Sequence, residues 1–248
     1  MVCMSSAPTA LTSTSAPALQ AVFWDMDGTL VDTEPYWIAA EYELVESYGG
    51  TWSEEQAHQL VGQALTYSAS VLQQAGVEME SQEIIDWLIT RVAARARESM
   101  PWRPGARELL ASLHEAGARS ALVTMSHRPL AEAIVEALPE GQMEFIVSGD
   151  MVTRGKPDPE AYHLAFETMG ADHQQRSGEQ LTRSRCIAIE DSVPGTAAAA
   201  ASGMVTVAVP HFTELPESDQ WHLLPTLAGL DARQLEELLA DPVPAAQR

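Results

Sequence analysis

A handful of side chains in this 248-residue sequence have the types and spacing to do chemistry together. Asp25 and Asp27 stand two residues apart in Asp25-Met26-Asp27-Gly28-Thr29-Leu30, directly after an apolar run over 21–24. Alternate side chains leave a strand on one face, so both carboxylates can point at one locus. Gly28 permits a tight turn and brings backbone N–H groups to the same spot. Glu190-Asp191-Ser192 repeats the pattern after a second apolar run, 186–189. Thr124-Met125-Ser126 ends a third run, 120–123, with hydroxyls and backbone N–H groups, and Gly155-Lys156-Pro157 introduces a helix. Carboxylates crowded in this way repel one another unless a cation binds or some are protonated. A donor set of oxygens, with no His or Cys, favours Mg²⁺ over zinc or copper.

The elements that must position these residues are also legible. The apolar runs at 21–24, 120–123, 145–147, 186–189 and 205–209 are short enough to be buried strands. Between the later runs lie helical stretches at about 104–117, 129–138, 158–169 and 194–202. Short strands alternating with helices imply a parallel sheet covered on both faces. In such sheets ligands bind beyond the carboxyl ends of the strands, where all the acids fall. Residues 36–100 contain no convincing strand; 35–48 and 81–99 have helical character, with Ile84, Ile85, Leu88 and Val92 at helical spacing. The expected organisation is therefore α/β: a Rossmann-like three-layer core with a parallel sheet (20–35 and 101–230) and an inserted all-helical cap (36–100). Residues 1–19, rich in Ser, Thr, Ala and Pro, read as a disordered extension, and 231–248 as a C-terminal helix and tail.

Charge narrows the partners. The 35 acids against 14 bases give a formal charge of −21. Such a surface repels nucleic acid and anionic membranes, which need basic patches. Cys3 and Cys186 make neither a stapling disulfide nor a metal-ligand spacing, which fits a reducing cytoplasm. No apolar run approaches the ~18–20 residues of a membrane span, and the N-terminus does not read as a signal peptide. Monomer is the default expectation. Of the 14 bases, 13 are Arg, so Lys156 is the single lysine.

The run Asp25-Met26-Asp27-Gly28-Thr29-Leu30-Val31-Asp32-Thr33-Glu34 resembles the first motif of the haloacid dehalogenase superfamily of phosphohydrolases. Thr124 is similar to its second motif, Lys156 to its third and Glu190-Asp191 to its fourth, in the right order over about residues 20–230. Glu190-Asp191-Ser192 followed by Gly195 resembles the branch of β-phosphoglucomutase and sugar phosphatases, which carries a helical cap. The resemblance implies Asp25 as nucleophile, forming an aspartyl-phosphate, and Asp27 as the acid that protonates the leaving oxygen and then deprotonates water. It implies Mg²⁺ held by Asp25, the Asp27 backbone carbonyl, Glu190 and Asp191. Thr124 and Lys156 would hold phosphoryl oxygens and stabilise charge in the transition state. Gly28, Met125 and Ser126 would line the same phosphate site, and Trp37, near the cap hinge, is the cap residue expected to touch substrate.

The same residues sort the branches. Dehalogenases need neither the second acid nor the metal pair, so Asp27 and Glu190-Asp191 argue against them. The phosphonate-cleaving branch needs a cap lysine, and the one lysine is already assigned. A phosphosugar mutase must grip a bisphosphate, yet residues 36–100 hold 10 acids and only Arg91, Arg95 and Arg97 as bases. Trp37 also stands where the mutase resemblance would place a hinge histidine. The expectation is Mg²⁺-dependent hydrolysis of a small phosphorylated metabolite, a sugar or polyol phosphate. The alternatives are a β-phosphoglucomutase-type mutase and a non-catalytic sugar-phosphate sensor.

Overall fold

The computed structural model describes residues 19–61 and 63–240. The expected extension and tail fall largely on 1–18 and 241–248, outside the described residues. Leu19, read as the end of the extension, is instead buried in the core. Gln20 anchors the chain beside it, its N–H donating to the Arg185 carbonyl at 2.8 Å.

Six strands form one parallel sheet: β1 (Ala21–Trp24), β2 (Arg119–Val123), β3 (Ile146–Val147), β4 (Cys186–Glu190), β5 (Val205–Ala208) and β6 (His222–Leu223). Their order is β3-β2-β1-β4-β5-β6. The short β6 was not expected. It has two residues, one of them exposed, so its apolar run is too brief to read in sequence. β1 is central and fully buried, as its unbroken apolar run requires. Its side chains divide between the two faces of the sheet. Val22 and Trp24 join a cluster with Leu109, Leu110 and Leu113 of α5 (Ala106–Glu115), Leu130 and Ile134 of α6 (Arg128–Val135), and Leu235 of α9 (Ala232–Glu237). Ala21 and Phe23 join another with Tyr162, Ala165 and Met169 of α7 (Glu160–Ser177) and Ala198 and Ala199 of α8 (Val193–Ala201). Helices, sheet and helices make the three layers, and each fully buried Leu, Ile or Phe contributes about 1.5–3 kcal/mol. α7 runs eight residues beyond the expected Met169 despite Gly170, and stops where Gly178 adopts φ +76°.

Between β1 and α5 the described chain is helical: α1 (Glu34–Ser47), α2 (Glu54–His58), α3 (Leu65–Gln74) and α4 (Ser81–Glu98). The two connections to this insertion run side by side. The Asp32 N–H donates to the Pro101 carbonyl at 2.8 Å, the Arg103 N–H to the Leu30 carbonyl at 3.0 Å, and Val31 bridges Trp102 antiparallel. α4 buries Ile84, Ile85, Leu88, Ile89 and Val92, the face its helical spacing predicts. Among the described residues no helix is long and apolar enough to cross a membrane.

One carboxyl lies inside this helical bundle. Glu41 on α1 is 4% exposed and accepts from Trp52 Nε1 at 3.3 Å. Burial pushes it up to about 8; the Trp52 bond opposes that and the charge of Glu34 adds to it. The folded chain therefore holds a proton that the unfolded chain releases near pH 4.3, and this stabilisation is lost as pH rises through about 8. Glu41→Gln should raise Tm, and raise it by several degrees more at pH 8.5 than at pH 4, measured by thermal unfolding.

Candidate active site

Asp25 follows β1, Thr124 follows β2, and Glu190-Asp191 end β4, all at one edge of the sheet. Register brings them level. Trp24 pairs with Leu122 on one side and Ile189 on the other, and the Asp25 N–H extends the ladder to the Ile189 carbonyl at 3.0 Å. The chain crosses to β2 on one side of β1 and to β4 on the other, which opens a crevice at this edge.

Lys156 ties the edge together. Its side chain is 5% exposed, and Nζ donates to Asp25 Oδ1 at 2.5 Å, Glu190 Oε1 at 2.6 Å and the Val123 carbonyl at 2.9 Å. An ammonium has three N–H donors, so all are committed. Burial alone would lower the lysine's pKa, but the charges of Asp25 and Glu190 outweigh it and the net shift is upward. The ammonium is therefore permanently charged at neutral pH. Sequence reasoning assigned Lys156 to a phosphoryl group; in this structure it holds two carboxylates.

Asp25, Glu190 and Asp191 are all buried, and a carboxylate oxygen from each lies within 4.8 Å of the others. Burial first, then the charge of Asp25, raises both Glu190 and Asp191 above the ordinary carboxylate range. Fully ionised, the three carboxylates against one ammonium would carry two uncompensated negative charges, which a divalent cation would balance. Two glycines make room for this crowding. A Cβ on Gly28, which has φ +91°, would meet Asp191 Oδ2 at 2.1 Å; one on Gly195 would meet Glu190 Oε2 at 1.8 Å. Thr29 Oγ1 donates to Asp191 Oδ1 at 3.3 Å. Oxygen donors, charge and space thus fit a hard divalent cation.

The carboxylate of Asp27 is not part of this triad. It accepts from Thr33 Oγ1 at its Oδ1, and from Ser126 Oγ at its Oδ2 at 2.6 Å. Burial raises its pKa; the bonds from Ser126 and Thr33 oppose this, and the charge of Asp25 adds to it. The N–H groups of Thr29, Leu30 and Val31 all converge on the Met26 carbonyl, which closes the turn that follows Asp25. One N–H of the 124–126 loop, expected free, is bonded, as is that of Gly28. The Gly28 N–H is bound to the Val31 carbonyl at 2.7 Å, and the Ser126 N–H to Thr124 Oγ1 at 2.9 Å. Gly28 serves the site through its missing side chain, and Ser126 through its hydroxyl. Met125 accepts the Lys156 N–H on its sulfur at 3.4 Å, supporting the lysine turn. Trp37 is half-buried against the apolar cluster. Arg128 and Arg154, near two of the motifs, pair with Glu132 and with Asp158 and Glu160.

Three contributors escaped sequence reasoning. Thr33 holds Asp27 from the connection into α1. Ser192 caps α8 by accepting the Gly195 N–H at 3.1 Å, which fixes the helix start beneath Glu190. Tyr162, fully buried on α7, donates to Glu190 Oε1 at 2.7 Å. Its place six residues after Lys156 was the available signal.

A parallel α/β core with an acidic triad and a buried lysine at its carboxyl edge defines a hydrolase-type site. The family model for haloacid dehalogenase-like hydrolases matches residues 19–203, and the chain belongs to that family. It is 29% identical over 191 residues to a phosphorylated carbohydrates phosphatase of Thermotoga maritima, covering 75% of this chain and 82% of that protein. It is also 29% identical over 202 residues to hexitol phosphatase B of Escherichia coli, covering 80% and 86%. The crystal structure of CbbY from Rhodobacter sphaeroides in complex with phosphate superposes with a TM-score of 0.73 at 27% identity, covering 88% of this chain and 99% of that one.

The close approach of Gly195 to Glu190 is testable. Gly195→Ala must drive Glu190 from its place, because the helix backbone cannot retreat. Titration calorimetry with Mg²⁺ should show affinity at least about tenfold weaker than in the wild type.

Proposed function

We propose that the protein is a Mg²⁺-dependent phosphomonoester hydrolase acting on a small phosphorylated sugar or polyol through an aspartyl-phosphate. The observation that carries this reading is the convergence of Asp25, Lys156, Glu190 and Asp191 at one sheet edge, with Asp27 beside them but held separately. The phosphatase relatives named above support the substrate class. Asp25, Glu190, Asp191 and the Asp27 carbonyl would hold Mg²⁺. When bound, the cation supplies the positive charge that lets an anionic carboxylate approach an anionic phosphoryl group.

The chain's own residues divide the remaining work. Asp25 attacks phosphorus as the bond to the leaving oxygen breaks, and Asp27 delivers its proton to that oxygen. Burial raises its pKa, which favours the proton-bearing form that this step needs. Water then attacks the aspartyl-phosphate, Asp27 takes a proton back, and Asp25 and inorganic phosphate are released. Thr33 and Ser126 aim the Asp27 carboxyl at both stages. Lys156, bonded to Asp25, stands where it can also hold an arriving phosphoryl oxygen. Thr124, Met125, Ser126 and Gly28 shape the phosphate end of the site, and Trp37 the opposite wall within the helical insertion, read here as a cap.

Hydrolysis is favoured over the mutase reaction by the cap's cations. Arg91 and Arg95 both pair with Glu43, and Arg97 pairs with Glu136, so each cap arginine already faces an acid. None is left uncommitted to hold a second phosphate. The protein should release phosphate from p-nitrophenyl phosphate and from members of a sugar- and polyol-phosphate panel. EDTA should abolish turnover, and Asp25→Asn should lower kcat at least about 10³-fold. Isomerisation of β-glucose 1-phosphate primed by a bisphosphate would establish the mutase instead. Absence of turnover across the panel with Mg²⁺ bound would establish a sensor.

The net charge of −21 opposes the approach of a phosphate dianion. Raising NaCl at fixed Mg²⁺ should therefore raise kcat/KM or leave it level, since salt screens that repulsion. Steady-state kinetics from low to about 0.3 M salt check this sign.

A further inference from the structure

Glu190 is asked to do two things. It neutralises Lys156 through Oε1 and contributes to the acidic triad. A free carboxylate can rotate, so something must set its orientation. Two contacts beyond the lysine do so. Ser192 Oγ stands 3.5 Å from Oε2, a weak contact, while the Tyr162 hydroxyl donates to Oε1 at 2.7 Å. Tyr162 is fully buried, and a phenylalanine would fill nearly the same space without carrying a polar atom into the core. A buried hydroxyl is retained at a cost unless its bond is made, and here the bond goes to a carboxylate of the site. The same ring lies 5.2 Å beneath the Lys156 ammonium, so its face attracts the cation that its hydroxyl helps to balance.

We infer that Tyr162 is a positioning residue: its hydroxyl and ring clamp Glu190 Oε1 and Lys156 together, which fixes the orientation of the Glu190 carboxylate within the acidic triad. Tyr162 reaches the site through Glu190 and Lys156. It acts through Glu190 as an outer partner of a metal ligand, and such partners set ligand orientation and affinity. α7 begins at Glu160, directly after the turn that carries Lys156, so the lysine and its clamp are near neighbours in the chain. The inference rests on the proposed cation site.

The test is Tyr162→Phe in the full chain, read by Mg²⁺ titration calorimetry on metal-free protein and by kcat and KM on p-nitrophenyl phosphate at saturating Mg²⁺. The expected result is a Kd for Mg²⁺ weaker by about tenfold, with kcat reduced and KM within about twofold of the wild type. The same substitution in a Glu190→Gln background should weaken Mg²⁺ binding no further, because the clamp then has no carboxylate to orient. Unchanged Kd and kcat, or an equal loss in both backgrounds, would overturn the assignment. Should the phenylalanine variant not fold, 4-fluorophenylalanine at position 162 fills the hydroxyl's volume without donating, and the same outcomes decide. Wild-type protein that bound no Mg²⁺ would remove the cation site itself, a result distinct from equal binding by wild type and variant.

Discussion

The buried ammonium of Lys156 is the interaction on which the site depends. Asp25, Glu190 and Asp191 lie within a few ångströms of one another and out of water, an arrangement that Coulomb repulsion and lost hydration both oppose. One fixed positive charge bonded to two of the three makes it tenable. Arginine could not substitute simply. A guanidinium is a planar fork that needs breadth, whereas Nζ bonds three acceptors around a point. That the chain contains 13 arginines and a single lysine gives this position its particular weight.

The crowding shapes the surrounding backbone. Gly28 and Gly195 occur where a Cβ would overlap a carboxylate of the triad, so these turns are narrow for reasons of chemistry as well as chain reversal. Asp27 escapes the crowding by being turned toward Thr33 and Ser126, and this separation gives two neighbouring aspartates different surroundings. One lies in the field of a lysine and two acids; the other is desolvated and hydrogen-bonded by hydroxyls. Because Thr33 belongs to the connection into α1, the orientation of Asp27 is linked to the path of the chain between sheet and helical insertion.

The helical insertion contributes a different electrostatic balance. Its arginines are paired on its surface, while Glu41 is enclosed with Trp52 and Glu34 is pushed up to about 7 by burial and by the charges of Asp27 and Asp32. Burial thus raises Glu34 and Glu41 in the insertion as it raises Glu190 at the sheet edge, where Lys156 offsets part of the cost.

The chemistry-bearing residues were legible in sequence because strand ends are marked by apolar runs followed at once by acids or hydroxyls. Asp25, Thr124 and Glu190-Asp191 could be placed at one sheet edge from alternation and connection rules alone, and β1, β2, β4 and β5 with them. The six-stranded order, the brief β6 and the full length of α7 needed tertiary packing, since two-residue pairing and a polar helical extension carry little periodic signal. Which donor meets which acceptor was decided only in three dimensions. Lys156 binding Asp25 and Glu190, Thr33 and Ser126 turning Asp27 away from the triad, and Tyr162 reaching Glu190 join residues as far as 131 positions apart. Residue type and order set what chemistry is available, because they depend on local backbone geometry. The allocation of each hydrogen bond depends on distances between strands and helices that no local pattern encodes.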